Sequence, residues 1–333
     1  MNTQSKISLL FGFLLFSFSA NSQLITNTGI SPTALVEDIL VGDGVEVSGV
    51  TFTGATEAIG SFNGAATNIG LASGIILTTG TVNNEIGGIG GEQRGPFGPN
   101  DTGSSGKANG EPGYAPLTAI AGVETENAAI LEFDFIPQSD TVRFRYVFGS
   151  DEYPEFVDEG FNDAFAFFIS GPGFGGTYNM AQIPGGGGPV SIDNINNGPS
   201  NAGPCQNCAY YNENGTGATS PYDSDDYYIQ YDGFTIVMEA VAKVECGETY
   251  HLKIAIADAG DQAYDSGIFL EANSLASYGP LEMEADLDLN GYGDGVTMAE
   301  GCEKATVTIT RSQTAEALSL PVLLSGTAAE GVD

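Results

Sequence analysis

An all-β fold, an antiparallel β-sandwich of jelly-roll type with long glycine-rich loops and one short N-terminal helix, is predicted by three features of the sequence. Apolar residues alternate with period two along most ordered-looking segments, 47 glycines cut the chain into short pieces, and no helical repeats stand between the strands to cover a parallel sheet. Disorder is excluded because 41% of residues are apolar and aromatic content is ordinary.

In chain order, Lys6, the apolar run from Ile7 to Phe18 and the small-residue site Ala20-Asn21-Ser22 read as a cleaved export signal over residues 1–22. That run is too short to span a bilayer comfortably, no later segment looks transmembrane, and no Cys follows the cleavage site to take a lipid. The helix begins at Ser31, an N-cap followed by Pro32, and places Leu35 and Ile39 on one face before Gly42. Strands are expected at Val45 to Thr53, Gly74 to Thr79, Leu131 to Ile136, Thr141 to Phe148, Ala164 to Ser170, Phe234 to Val244, Thr249 to Ala257 and Gly267 to Asn273.

Two hairpins are expected. In the first, residues 137–140 join Leu131–Ile136 to Thr141–Phe148, which sets Asp134 opposite Arg143 and Glu132 opposite Arg145 as cross-strand ion pairs. In the second, a turn at Glu245 to Glu248 leaves Tyr250, Leu252, Ile254 and Ile256 on a buried face and His251, the single histidine, on the polar one. Long polar loops at Asn83 to Ala115, Phe174 to Gly188 and Asn196 to Asp226 interrupt this core, and loops of such length are usually functional or ordered by ions and disulfides. Residues 23–279 form the sandwich. Residues 280–333 read as a linker and the start of an Ig-like β domain whose two strands cannot hold a core alone, so the sequence is expected to be a fragment of a longer protein.

Nine basic residues face 43 acidic ones, a formal charge of −34, and loss of the leader with Lys6 makes it more negative. Such a surface argues against nucleic acid as a partner. Export implies oxidised cysteines, so Cys205, Cys208, Cys246 and Cys302 are disulfide candidates, with Cys205-Gln-Asn-Cys208 able to close locally and the other pairings open.

General solubility accounts for most of the acids but not for their clustering. Six lie between Asp151 and Asp163 inside an aromatic frame, with no base anywhere between Arg145 and Lys243. Carboxylates so close must be solvated, protonated or neutralised by a cation. A second cluster, Asp258 to Asp265, also follows a strand end, so a sandwich can bring both to one rim. The candidate ligands of a structural Ca²⁺ are Asp151, Glu152, Glu155, Asn162, Asp163, Asp258, Asp261 and Asp265, set against a plain alternative of Asx turns and solvated loop acids. The run Asp286-Leu-Asp288-Leu-Asn290-Gly291 imitates an EF-hand loop, but Thr297 stands where the bidentate Glu belongs, and a linker or strand is preferred.

Tyr210, Tyr211, Tyr222, Tyr227, Tyr228 and Tyr231, among aspartates, are candidate ligand-contacting aromatics for a sugar, although tyrosines more often cap a core. No GxSxG or HExxH motif occurs, and no catalytic residue is assigned. Paired carboxylates leave a hydrolase as a distant alternative.

The segments LVEDILVGDGVEVSGVTFTG, LASGIILTTG, FRYVFGSDEYPEFVDEGFNDAFAFFISGPG, VSIDNINNG, YDGFTIVMEAVAKV and HLKIAIADAGDQAYDSGIFLEANS together resemble the choice-of-anchor L domain of exported bacterial proteins, Bacteroidota above all. TVTITRSQ and LLSGTAAEGVD resemble an interrupted Calx-beta repeat. The resemblance implies one export signal, this domain and a variable C-terminal module, often for type IX secretion, that engages sorting and anchoring machinery. It also implies an extracellular or outer-membrane-surface location and no established catalytic chemistry. The function expected is non-catalytic adhesion to a cell-surface or extracellular-matrix ligand with calcium-ordered loops; the alternative is a carbohydrate-binding module of a secreted polysaccharide-degrading protein.

Overall fold

In the computed structural model of the chain, residues 23–83, 95–100 and 105–277 are described, together with the backbone of residues 282–287 and 305–310. Two antiparallel sheets pack face to face. The larger runs, in spatial order, β1 (Ile25–Asn27), β3 (Ile59–Asn63), β4 (Ser73–Thr78), β13 (Ser266–Glu271), β6 (Thr141–Ser150), β10 (Gly233–Thr235) and β9 (Tyr211–Glu213), with β11 (Met238–Lys243) paired to the first half of β6. The smaller runs β2 (Val45–Thr53), β5 (Thr125–Pro137), β12 (Tyr250–Ala259), β7 (Ala164–Ser170) and β8 (Tyr178–Asn179). β14 (Glu282–Leu287) and β15 (Ala305–Thr310) make a separate two-stranded sheet. The all-β sandwich expected from the alternation is the fold observed.

Period-two alternation explains the core. Leu131, Phe133 and Phe135 on β5, Phe165 and Phe167 on β7, and Leu252, Ile254 and Ile256 on β12 face Phe144, Tyr146 and Phe148 on β6, all buried. Ring centroids lie 4.6 Å apart for Phe144 and Phe167 and 4.9 Å for Phe148 and Phe165, so the sheets interlock through aromatic contacts. At the N-terminus, Ser31 Oγ accepts the Ala34 N–H at 3.2 Å and starts α1 (Pro32–Ala34), which widens into a π-helical turn over Leu35–Leu40 that buries Leu35, Val36 and Leu40.

One helix was not legible in the sequence. Starting at the last residue of the expected loop, α2 (Ala115–Ala121) covers the outer face of the smaller sheet, seating Leu117 against Ala128, Ala166, Ala255 and Ala257. Four alanines on adjacent strands leave the room that a helix needs, and Gly122 ends it with φ 82°.

Both expected hairpins are corrected. The connection from β5 to β6 is an arch that crosses from the smaller sheet to the larger, and so is the one from β11 to β12 in the reverse sense. Inward alternation is the same for a hairpin and an arch, because in either case the apolar side faces the common core. The ion pairs move accordingly: Arg143 Nη1 lies 3.7 Å from Glu239, and Arg145 Nη1 donates to both carboxylate oxygens of Glu271, at 2.9 and 2.7 Å. Glu132 and Asp134 instead meet His251 and Lys253 of β12.

Cys205 and Cys208 form a disulfide with Cα atoms 5.6 Å apart. Cys246 is exposed and has no disulfide partner among the described residues; Cys302, the export signal and most of residues 280–333 lie outside them.

Candidate metal centre at one rim of the sandwich

Strand register assembles the site. Ser150 at the end of β6 pairs with Gly233 on β10 and with Ser266 on β13. One residue further along, Asp232, Asp151 and Asp265 therefore form a row across three neighbouring strands, and the Asp151 N–H donates to the Asp265 carbonyl at 3.2 Å. Gly80 extends the row from β4. A methyl group there would sit 1.7 Å from Asp265 Oδ2, so only glycine lets the carboxylate occupy that place.

A matching row stands on the other sheet. Asp258 pairs with Glu126 on β5 just past a β-bulge, and the Ala257–Ala164 pair sets Asp163 beside it. The connections 151–163 and 260–265 both cross between the sheets at this end, which carries Glu152 into the space between the rows. Ser266 Oγ ties them together by donating to Asp163 Oδ2 at 2.7 Å.

Asp151, Glu152, Asp163, Asp258 and Asp265 are each 4% exposed or less. Their outer oxygens are held by donors. Asp151 Oδ2 accepts from Ser105 N at 2.5 Å and Ser105 Oγ at 2.7 Å, and Asp163 Oδ1 from Ala259 N at 2.8 Å. Asp258 Oδ2 accepts from Asn127 Nδ2 at 2.9 Å, and Asp265 accepts the Lys107 N–H with both oxygens, at 3.0 and 3.1 Å. Other oxygens of the same groups, Asp151 Oδ1, Asp258 Oδ1 and Glu152 Oε2, are buried without a hydrogen-bond partner. An anionic oxygen cannot stay so without a proton or a cation.

The electrostatics agree. Burial first, then neighbouring carboxylates, pushes Glu152 up to about 11 and Asp163 and Asp265 well above the usual range. Burial raises Asp151 to about 7 and Asp258 to about 8 even though hydrogen bonds oppose it. The Lys107 ammonium lies against Glu57, and Arg143, Arg145, Lys243, His251 and Lys253 are paired on the sheet faces.

Of the remaining expected ligands, Glu155 and Asp261 lie exposed at the margin, and Asn162 is engaged elsewhere, donating to Ala121 O and accepting from Asp193 N. Asp232, raised to about 9 by burial and by Asp151, was missed. Its signal was the dipeptide Asp232-Gly233 at the head of a strand, hidden among tyrosines. The donors Ser105 and Asn127 gave no signal at all, because they arrive from loops far away in sequence.

Among the described residues no three His, Cys, Asp or Glu side chains already converge on one point at metal-ligand distance. The donor set is nonetheless all oxygen and mostly anionic, which fits a hard cation such as Ca²⁺ and excludes a thiolate or imidazole site. Two of the expected ligand-contacting tyrosines are core residues: Tyr231 is fully buried, with its hydroxyl 3.3 Å from Thr78 Oγ1, and Tyr211 packs on Tyr153. Tyr210 packs against the core as well. Tyr222, Tyr227 and Tyr228 form an edge-to-face cluster, with Tyr227 at 40% exposure.

The sequence profile of the choice-of-anchor L domain matches residues 24–276. No curated protein and no solved structure matches the chain. No helix among the described residues is long and apolar enough to cross a membrane.

Proposed function

Because the chain belongs to the choice-of-anchor L family, a class of extracellular, surface-associated modules, we propose that its sandwich is a non-catalytic adhesion head whose rim loops are ordered by calcium. The observation that carries the metal is the set of orphaned, buried oxygens on Asp151, Glu152 and Asp258, gathered where two inter-sheet connections and the Ser105 loop meet. Asp163 and Asp265 complete the anionic shell. Calcium there would fix the 151–163 and 260–265 connections to one another and so present a rigid rim to a cell-surface or matrix ligand. Export through the leader and anchoring through a C-terminal module of a Bacteroidota-type surface protein, with a Calx-beta stalk, complete the proposal.

Calcium added to the chelated full chain should raise the thermal midpoint, since a ligand at a hundred times its Kd stabilises by about 2.7 kcal/mol. An unchanged midpoint at millimolar calcium removes the metal from the proposal. The cluster of Tyr222, Tyr227 and Tyr228, half-buried but for the exposed Tyr227, favours a glycan as a second reading. Glycan-array binding lost in Tyr227→Ala would support it.

A further inference from the structure

We propose that the rim holds a second cation, seated between Asp232 and Asp151 and capped by the side-chain oxygen of Asn100, with Asp151 shared between the two ions. This rests on the reading of the rim as a calcium centre and adds two residues, Asp232 and Asn100, that the first site does not use. Asp232 and Asp151 stand side by side because Gly233 and Ser150 are paired one step earlier. The two oxygens of Asp151 differ in their surroundings: Oδ2 is clamped by Ser105, whereas Oδ1 has no well-aligned donor, the Asp232 backbone N–H reaching the carboxylate only as a weaker contact.

Asn100 supplies the independent observation. It is completely buried, its amide hydrogen-bonds the Asp232 carboxylate, and its Nδ2 also donates to the Asn214 and Gly215 carbonyls at 2.9 and 3.4 Å. Those two carbonyls fix the orientation of the amide, since a flip would turn Oδ1 onto them. Oδ1 is then a buried acceptor with no donor. A proton shared by Asp151 and Asp232 would neutralise the carboxyls and still leave this neutral oxygen unmatched, whereas an oxygen-seeking cation engages all three groups. Asn214 N–H, donating to the Asp232 carbonyl at 2.8 Å, holds that backbone in place, and Glu155, which acts electrostatically on both aspartates, closes the site from its exposed side.

The test counts ions on the full chain. Calcium per chain is measured by native mass spectrometry after chelation and reloading, with terbium luminescence, sensitised by tyrosine in a chain without Trp, as the solution readout. Two ions are expected for the unaltered chain and one for Asp232→Asn. One ion that Asp232→Asn leaves in place overturns the second site and spares the first; no ion at all overturns both. Should Asp232→Asn not fold, Asn100→Ala, which changes no charge, decides: the weaker terbium step is expected to weaken by about tenfold or more. An unchanged titration in that variant overturns the assignment.

Discussion

Glu132, on the outward face of β5, and Glu152, just past the end of β6, are the same side chain in opposite circumstances. Glu132 is partly desolvated, but Lys253 at 2.9 Å and His251 at 3.2 Å outweigh that and hold its carboxyl below the usual range. Glu152 is desolvated further, and its neighbours Asp163, Asp261, Asp258 and Asp151 are all acids, so it rises to about 11. Arg143, Arg145, Lys243, His251 and Lys253 pair with acids away from the rim, and Lys107, which holds Asp265 by its N–H and opposes the burial-driven rise of that carboxyl through its charge, commits its ammonium to Glu57. None of them is set between the rows at the rim, where neutralisation has to come from a proton or an ion in solution. Proton and cation then compete for the same oxygens at the rim, and no such competition exists on the sheet face.

The largest effect is expected from pH in the metal-free protein. Each raised carboxyl binds its proton more tightly folded than unfolded. The stability it contributes is therefore complete below the ordinary carboxylate range and is lost as pH rises through the folded value: about 7 for Asp151, about 8 for Asp258 and about 9 for Asp232. For Asp151 alone this amounts to something on the order of 4 kcal/mol. In chelator, denaturant midpoints should fall steadily from pH 5 to pH 9, and saturating calcium should flatten the fall. Stability that climbs with pH in chelator would mean that the rim acids are not buried together.

A smaller effect that changes sign comes from Asp258→Asn. The amide keeps an oxygen for the Asn127 donor and removes a charge that burial disfavours. At pH 8 without metal the variant should be more stable than the parent by about 1–3 kcal/mol, the size of an unsatisfied buried charge relieved. With calcium it should be less stable, having lost an anionic ligand. Urea unfolding under the two conditions measures both signs, and destabilisation in both would make Asp258 a plain structural acceptor.

How much of this was readable follows from what alternation encodes. Period two marked the inward faces of β5, β6, β7 and β12, since it depends only on which side of a strand is buried. It carries no information on which strand lies next door, and so the partners of Arg143 and Arg145 are not those expected: a hairpin and an arch at 137–140 leave the same alternation in the flanking strands. The acids of the rim stood out because they are crowded in sequence and lack a nearby base. Asp232 and Asn100 did not, because their place depends on β10 docking beside β6 at Gly233 and Ser150, a contact between residues 83 positions apart. The helix at 115–121 was hidden for a related reason: seven residues carry too weak a periodicity, and the alanines that receive it come from three other strands.

The smallest effect belongs to the sheet face and sets the baseline. Lys253→Met removes the ion pair with Glu132 and the ammonium 5.3 Å from the Tyr114 ring centroid. Both contacts are partly solvated, so the loss should be about 0.5–1 kcal/mol. A double-mutant cycle with Glu132→Gln should return a coupling of the same size, equal in chelator and in calcium. The equality matters more than the size. If the coupling changed with calcium, the outward face of β5 and β12 would be sensing the rim through Asp258 on the same strand, and the two acidic regions would be one electrostatic unit instead of two.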